Sequence, residues 1–189
     1  VSDAGLTWIG PTPDVIASMG DKISAKVAAL AAGVPTLPFS YYPFDEDAVG
    51  YPLLVKAAAG GGGKGMHLVE RPEDLAGAVA TAQREAAASF GDDRVFLERY
   101  VARSRHIEIQ ILGDAHGSLV HLGERECSIQ RRHQKVVEES PAAMLGADGR
   151  NAMGAAALQL ADGIGYRSAG TVEFLVDDAS GEFFFLEVN

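Results

Sequence analysis

A chain of 189 residues, 47% hydrophobic and 22% charged, is long enough for one sizeable core or two small ones and has the composition of an ordinary globular protein. A formal charge of -10 argues against nucleic acid or an anionic membrane as partner, so any anionic ligand must be met by locally clustered Lys and Arg. The one cysteine, Cys127, excludes an internal disulfide and a cysteine-rich zinc site and points to a reducing, cytoplasmic compartment.

The opening "VSDAGLTWIGPTPDVI" has no basic n-region, and no apolar run nears the ~20 residues of a membrane span, so no targeting or membrane segment is expected. Thr12, Pro13 and Asp14 predict a helix start, with Gly20 as its end. Asp21 then caps a second helix running to Gly33, and Pro35 and Pro38 stop it. After a loop rich in Pro, Tyr and acid, "YPLLVKAA" and "MHLV" read as strands around the run "AAAGGGGKGM". Arg71 and Pro72 open an alanine-rich helix that ends near Phe90, with Gly91 as its breaker. "VFLERYV" and "HIEIQIL" read as strands. In the second, Ile107, Ile109 and Ile111 alternate with His106, Glu108 and Gln110, one apolar and one polar face. "SLVHLGE" is an antiparallel neighbour after the turn at Gly113, Asp114 and Gly117, and "ECSIQRRHQKVVEES" holds the densest positive run. A helix from about Arg150 to Asp162 precedes the strands "GTVEFLV" and "GEFFFLEVN", joined by "DDASG". The sum is an α+β chain built mainly from antiparallel hairpins. Because it stops directly after a strand-like run, the natural domain is expected to continue beyond Asn189.

The four consecutive glycines carry a backbone-entropy cost that is explained if a phosphate must approach the main chain. Ala58 and Gly65 break the P-loop pattern, and a strand rather than a helix follows, which also excludes a Rossmann turn. A glycine-rich hairpin flap remains, although the glycines alone fit a flexible surface loop equally well. Lys56, at the end of an apolar strand, favours the flap; by itself it also fits a solvated strand end. If the last turn centres near Ser180, Glu173 faces Glu187, and Asn189 shares a face with Glu187. Oxygen-only ligands of that kind select Mg²⁺; the bland alternative is two outward-facing glutamates on an edge strand. His106 alone fits a hydrogen-bonded strand histidine, "QRRHQK" a solvated basic face, and Cys127 a small buried apolar group. His67, His116 and His121 have no metal-ligand spacing.

The motifs "MGDKISAK", "VKAAAGGGGKGM", "FLERYV", "RHIEIQIL", "ERECSIQRRHQKVVEESPA", "GTVEFL" and "FLEVN", in this order, resemble biotin carboxylase, the ATP-grasp enzyme of acetyl-CoA, propionyl-CoA and pyruvate carboxylases. The resemblance covers nearly the whole chain, and the run from Glu126 to Glu139 is its most specific part. It implies an ATP-grasp fold, with antiparallel sheets, flanking helices, a glycine-rich flap subdomain and a truncated C-terminal part. The implied division is 1–20, the tail of a preceding N-terminal domain with a linker helix; 21–52, the start of the ATP-grasp region; 53–101, the flap subdomain; and 102–189, the first part of the C-terminal subdomain.

The resemblance further implies that Lys22 and Lys56 contact ATP phosphates and that Gly62 and Gly63 close over them. Adenine would be held by Glu98 and by backbone groups of Arg99, Tyr100 and Val101. His106 and Gln130 would meet the ribose side, and His133 the phosphates. Lys135 would serve bicarbonate, and Glu173, Glu187 and Asn189 would bind Mg²⁺ or Mn²⁺. Biotin and bicarbonate would be substrates, a biotin carboxyl carrier protein and a carboxyltransferase the partners, and the full-length protein a homo-oligomer. Two departures stand out: the segment between Pro38 and Tyr51 is short for the family, and the family's arginines and glutamate beyond the last asparagine are absent, which implies an inactive fragment. The rivals are another ATP-grasp ligase, such as half of a carbamoyl-phosphate synthetase, and a non-catalytic ATP-binding module.

Overall fold

The computed structural model describes the backbone of residues 1–189 and every side chain but that of Ser2. Helix α1 (Pro13–Gly20) begins where Thr12 accepts from the Val15 amide, and α2 (Lys22–Ala31) begins where Asp21 accepts from the Ser24 amide at 2.8 Å. Both caps satisfy amides that a first turn leaves without partners. The stretch before the glycines holds more than a loop, because β1 (Phe39–Tyr41) and the single turn α3 (Glu46–Val49) form there. Strands β2 (Leu53–Ala57) and β3 (Met66–Val69) flank the glycine run. Helix α4 (Pro72–Phe90) ends at Gly91, whose φ of 72° lets its amide bond back to Ala87.

Strand β4 (Val95–Arg99) completes a four-stranded antiparallel sheet in the order β1-β4-β2-β3. Its core is Val49, Leu53, Val55, Val69, Val95 and Leu97 under Ala82 of α4. The sheet therefore draws one strand from the segment before residue 53.

The second sheet contains β5 (Ser104–Gly113), β6 (Leu119–Arg131), β7 (Gln134–Glu139), β8 (Ser168–Asp177) and β9 (Phe183–Val188), ordered β7-β6-β5-β8-β9. Helix α5 (Ala147–Gly163) starts one turn before the expected Arg150, at Ala147 after Gly146. Ile107, Ile109, Ile111, Val172, Phe174 and Phe185 pack with Met153 and Leu160 of α5 and with Ala25 and Ala29 of α2. Each such large side chain contributes roughly 1.5–3 kcal/mol of burial free energy. The apolar face of β5 is thus consumed by the core, which leaves His106, Glu108 and Gln110 on the opposite face. The basic run is itself structured: it forms the end of β6, a two-residue turn and β7, an edge strand exposed along its length. In that turn Arg132 and His133 both adopt left-handed backbone, with φ of 52° and 62°. Among the described residues, no helix is long and apolar enough to cross a membrane.

Candidate nucleotide site

A cleft of about 390 Å³ opens between the two sheets. One wall comes from the four-stranded sheet: Lys56 at the end of β2, the loop 59–64, and Glu98 to Val101 where β4 ends. The other comes from the five-stranded sheet: His106, Gln130, His133, Lys135, Glu173 and Glu187. Lys22, in the first turn of α2, closes one side. Of the site residues that the resemblance implies, only Asn189 does not line the cleft; its Nδ2 donates to Glu173 Oε1 at 2.8 Å from just outside.

Glu173 and Glu187 are cross-strand partners, as expected, but through a feature that alternation alone does not contain. From Val176↔Phe183 to Phe174↔Phe185 the register would place Glu173 opposite Leu186. A bulge after Phe185 inserts one residue, so Glu187 takes that position and Leu186 and Glu187 both face the cleft.

The loop is an irregular connection rather than a tight turn. Gly63 has φ of 73°, and a Cβ there would lie 2.2 Å from the His133 ring, so the loop rests on the β6–β7 turn. At Gly60 a Cβ would strike the ring of Phe90, and the Gly60 carbonyl accepts from Lys22 Nζ. Glycine is needed at both places for close approach as well as for φ.

Charge is organised by carboxylates held between cations. Glu98 is 1% exposed; its Oε2 accepts from Lys56 Nζ at 2.8 Å, and its Oε1 forms an ion pair with Lys26 Nζ in a poor direction for a hydrogen bond. Burial alone would raise this carboxyl, but the Lys56 and Lys26 ammonium groups bring it down to about 2. The acidic side chain is therefore engaged, and what the segment from Glu98 to Val101 can offer the cleft is its main chain. Arg99 behaves likewise: its Nε donates to the Val49 carbonyl at 2.5 Å.

On the other wall, Lys135 donates to Glu108 Oε2 at 2.5 Å and to Glu173 Oε1 at 2.6 Å. Partial burial works against its charge, but these two carboxylates outweigh burial and raise its pKa above the usual lysine value. Arg125 grips the other oxygen of Glu108, whose own pKa is lowered, burial being outweighed by Lys135 and Arg125. His106 Nδ1 lies 2.7 Å from Gln130 Nε2 and 3.7 Å from Glu173 Oε2. Burial lowers the His106 pKa in spite of Glu173, so the ring is neutral at pH 7 and Nδ1 accepts from Gln130. Burial also lowers Lys22, whose Nζ stands 3.7 Å from Glu187 Oε2.

Sequence reasoning placed Glu108 on the polar face of its strand without giving it a role, and it passed over Lys26. The signal for Lys26 was its place one turn after Lys22 on a helix otherwise rich in alanine. Among the described residues, Glu108, Cys127 and Glu138 bring metal-ligating atoms together. Glu108 is already paired with Lys135 and Arg125 there, and burial pushes the Cys127 thiol up to about 11, so the thiol is protonated at neutral pH. Glu173, Glu187 and Asn189 instead offer oxygen donors only, beside a cleft lined with cations, a donor set that fits Mg²⁺ carried by a polyphosphate.

The family described as carbamoyl-phosphate synthase L chain, ATP binding domain, matches residues 21–189. The mitochondrial methylcrotonoyl-CoA carboxylase subunit alpha of Oryza sativa subsp. japonica is 52% identical over 98% of this chain and 26% of its own length. The biotin carboxylase of Nostoc sp. is 47% identical over 100% of the chain and 44% of its own length. The structure of Campylobacter jejuni biotin carboxylase in its β,γ-ATP complex superposes with a TM-score of 0.93 at 43% identity, covering 100% of this chain and 44% of that one. The chain thus spans less than half of each of these proteins. Its two antiparallel sheets around a cationic cleft have the ATP-grasp architecture of biotin carboxylase domains, and the chain belongs to the family of carbamoyl-phosphate synthase L chain ATP-binding domains.

Proposed function

We propose that the full-length protein carboxylates biotin with bicarbonate at the expense of MgATP, by way of carboxyphosphate, as the first half-reaction of an acyl-CoA carboxylase. The observation that carries this reading is the convergence of the glycine loop, Lys22, Lys56, Lys135 and the Glu173–Glu187 pair on one cleft. Phosphoryl transfer requires positioning and charge neutralisation more than covalent chemistry from the protein.

In this reading Lys22 and Lys56 hold the phosphates, and Gly62 and Gly63 cover them with main-chain amides. The main chain from Glu98 to Val101 meets adenine. His106 and Gln130 hold the ribose side, and His133, on its strained turn, approaches the phosphates across from Gly63. Lys135 orients bicarbonate. Glu173, Glu187 and Asn189 would hold Mg²⁺ or Mn²⁺, which neutralises phosphate charge when bound. A biotin carboxyl carrier protein and a carboxyltransferase are the partners we propose, supported by relatives named as alpha subunits of acyl-CoA carboxylases, with the full-length protein a homo-oligomer. The division at residues 20, 52 and 101 is kept as the proposed domain plan, with β1 and Val49 crossing from the second segment into the sheet of the third. The cytoplasm is kept as the proposed compartment, supported by the free, buried Cys127, although the rice relative is named mitochondrial.

Bicarbonate-dependent ATP cleavage stimulated by free biotin, assayed in the full-length protein, is the expected activity. Glu187→Gln should lower it by about a hundredfold and raise the Mg²⁺ requirement; an unchanged Mg²⁺ dependence would refute the ligand assignment. The matching family name also covers carbamoyl-phosphate synthases, and carbamoyl-phosphate formation would favour that second reading.

A further inference from the structure

Lys26 is 1% exposed and faces neither solvent nor the cleft. Its ammonium pairs with Glu98 Oε1, lies 3.4 Å from the Phe185 carbonyl, and stands over the Phe39 ring at 5.5 Å from the centroid. It thus reaches from α2 to β9 of one sheet and to β1 and β4 of the other. The second oxygen of Glu98 holds Lys56, whose side chain is 11% exposed and lines the cleft. One carboxylate therefore sits between two lysines, with one positive charge in excess.

We infer that Lys26 is a positioning residue for nucleotide binding: by occupying one oxygen of Glu98 it leaves Lys56 anchored through the other, with its charge uncompensated toward the phosphates. This rests on reading the cleft as an MgATP site. Without Lys26 the pair Lys56–Glu98 would be neutral. A polyphosphate would then compete with a buried carboxylate for the same ammonium, at low local dielectric where that competition is costly. With Lys26 the carboxylate acts as a hinge pin and the excess charge faces the ligand. Burying a lysine is an expensive way to gain stability, since apolar packing of equal volume does at least as well. Burial indeed lowers the Lys26 pKa despite its partner. An electrostatic task at the neighbouring lysine accounts for the residue.

The test measures binding of ATP, ADP and AMP, each with Mg²⁺, to the full-length protein and two variants. Lys26→Met should weaken ATP by about tenfold or more, ADP by less and AMP by no more than about twofold, because the lost charge acts on phosphates. Adding Glu98→Gln to Lys26→Met frees Lys56 from its carboxylate and should return ATP affinity most of the way to wild type. Equal weakening of all three nucleotides, or no weakening, would overturn the inference in favour of a structural pin. Should Lys26→Met alone fail to fold, the folded double variant decides: near-wild-type ATP affinity supports the role, and lost affinity overturns it. Failure of the wild type to bind any of the nucleotides would overturn the MgATP reading itself, and this role with it.

Discussion

Glu98 and Glu108 stand on opposite walls of the cleft, each gripped by two cations, and they differ in depth. Around Glu98 the side chains of Lys26 and Lys56 are 1% and 11% exposed; around Glu108 those of Arg125 and Lys135 are 30% and 27% exposed. The deep clamp is a fixed charge. Lys26 and Glu98 have no water to turn to, so removing one strands the other. The shallow clamp is adjustable, because Lys135 is already shared with Glu173 and solvent can stabilise whatever it releases. On the proposed reading, a site that grips one end of a nucleotide while chemistry proceeds at the other has use for both kinds.

The largest effect tests the deep clamp. Glu98→Gln leaves two buried ammonium groups facing a neutral amide and should cost about 3–5 kcal/mol in denaturant unfolding. Since the Glu98 pKa falls from 4.5 to about 2 on folding, its ionised form contributes fully above about pH 4.5, and that contribution is lost as the pH falls through about 2. The stability gap between wild type and Glu98→Gln should therefore narrow over that window, and a gap independent of pH would contradict the clamp. Lys135→Met tests the shallow clamp; with Arg125 still on Glu108 and Asn189 still on Glu173, the loss should be about 1–2 kcal/mol, between exposed and buried pair values. An equal loss at both sites would erase the distinction.

The loop between the walls supplies the smallest effects. Gly63→Ala combines a left-handed φ with the His133 ring and should cost about 1–2 kcal/mol. Gly61→Ala, with open space around it and no left-handed φ, should stay within about 0.5 kcal/mol in thermal unfolding.

Much of this arrangement was legible in the residues. Period-2 alternation marked β5 because its apolar face enters the core, and the caps at Thr12, Asp21 and Gly91 bounded helices whose ends are satisfied locally. What stayed hidden depends on contacts distant in sequence. β1 is three residues long and exists only because β4 offers it an edge. Lys26 looks like any lysine of an alanine-rich helix until Glu98, far along the chain, is brought beside it. The facing of Glu173 and Glu187 came from a turn centre placed half a residue late, which the bulge after Phe185 restores. Sequence pattern reports faces reliably where burial enforces them; it does not count inserted residues or buried partners.

The turn joining β6 to β7 shows where durability and purpose part company. Two residues with branched or long side chains occupy backbone territory in which Asn-Gly would rest easily, at a cost of about 1–2 kcal/mol apiece. Selection for heat resistance alone would drift toward that softer dipeptide, and the step at His133 would strip away the imidazole on which the glycine loop leans.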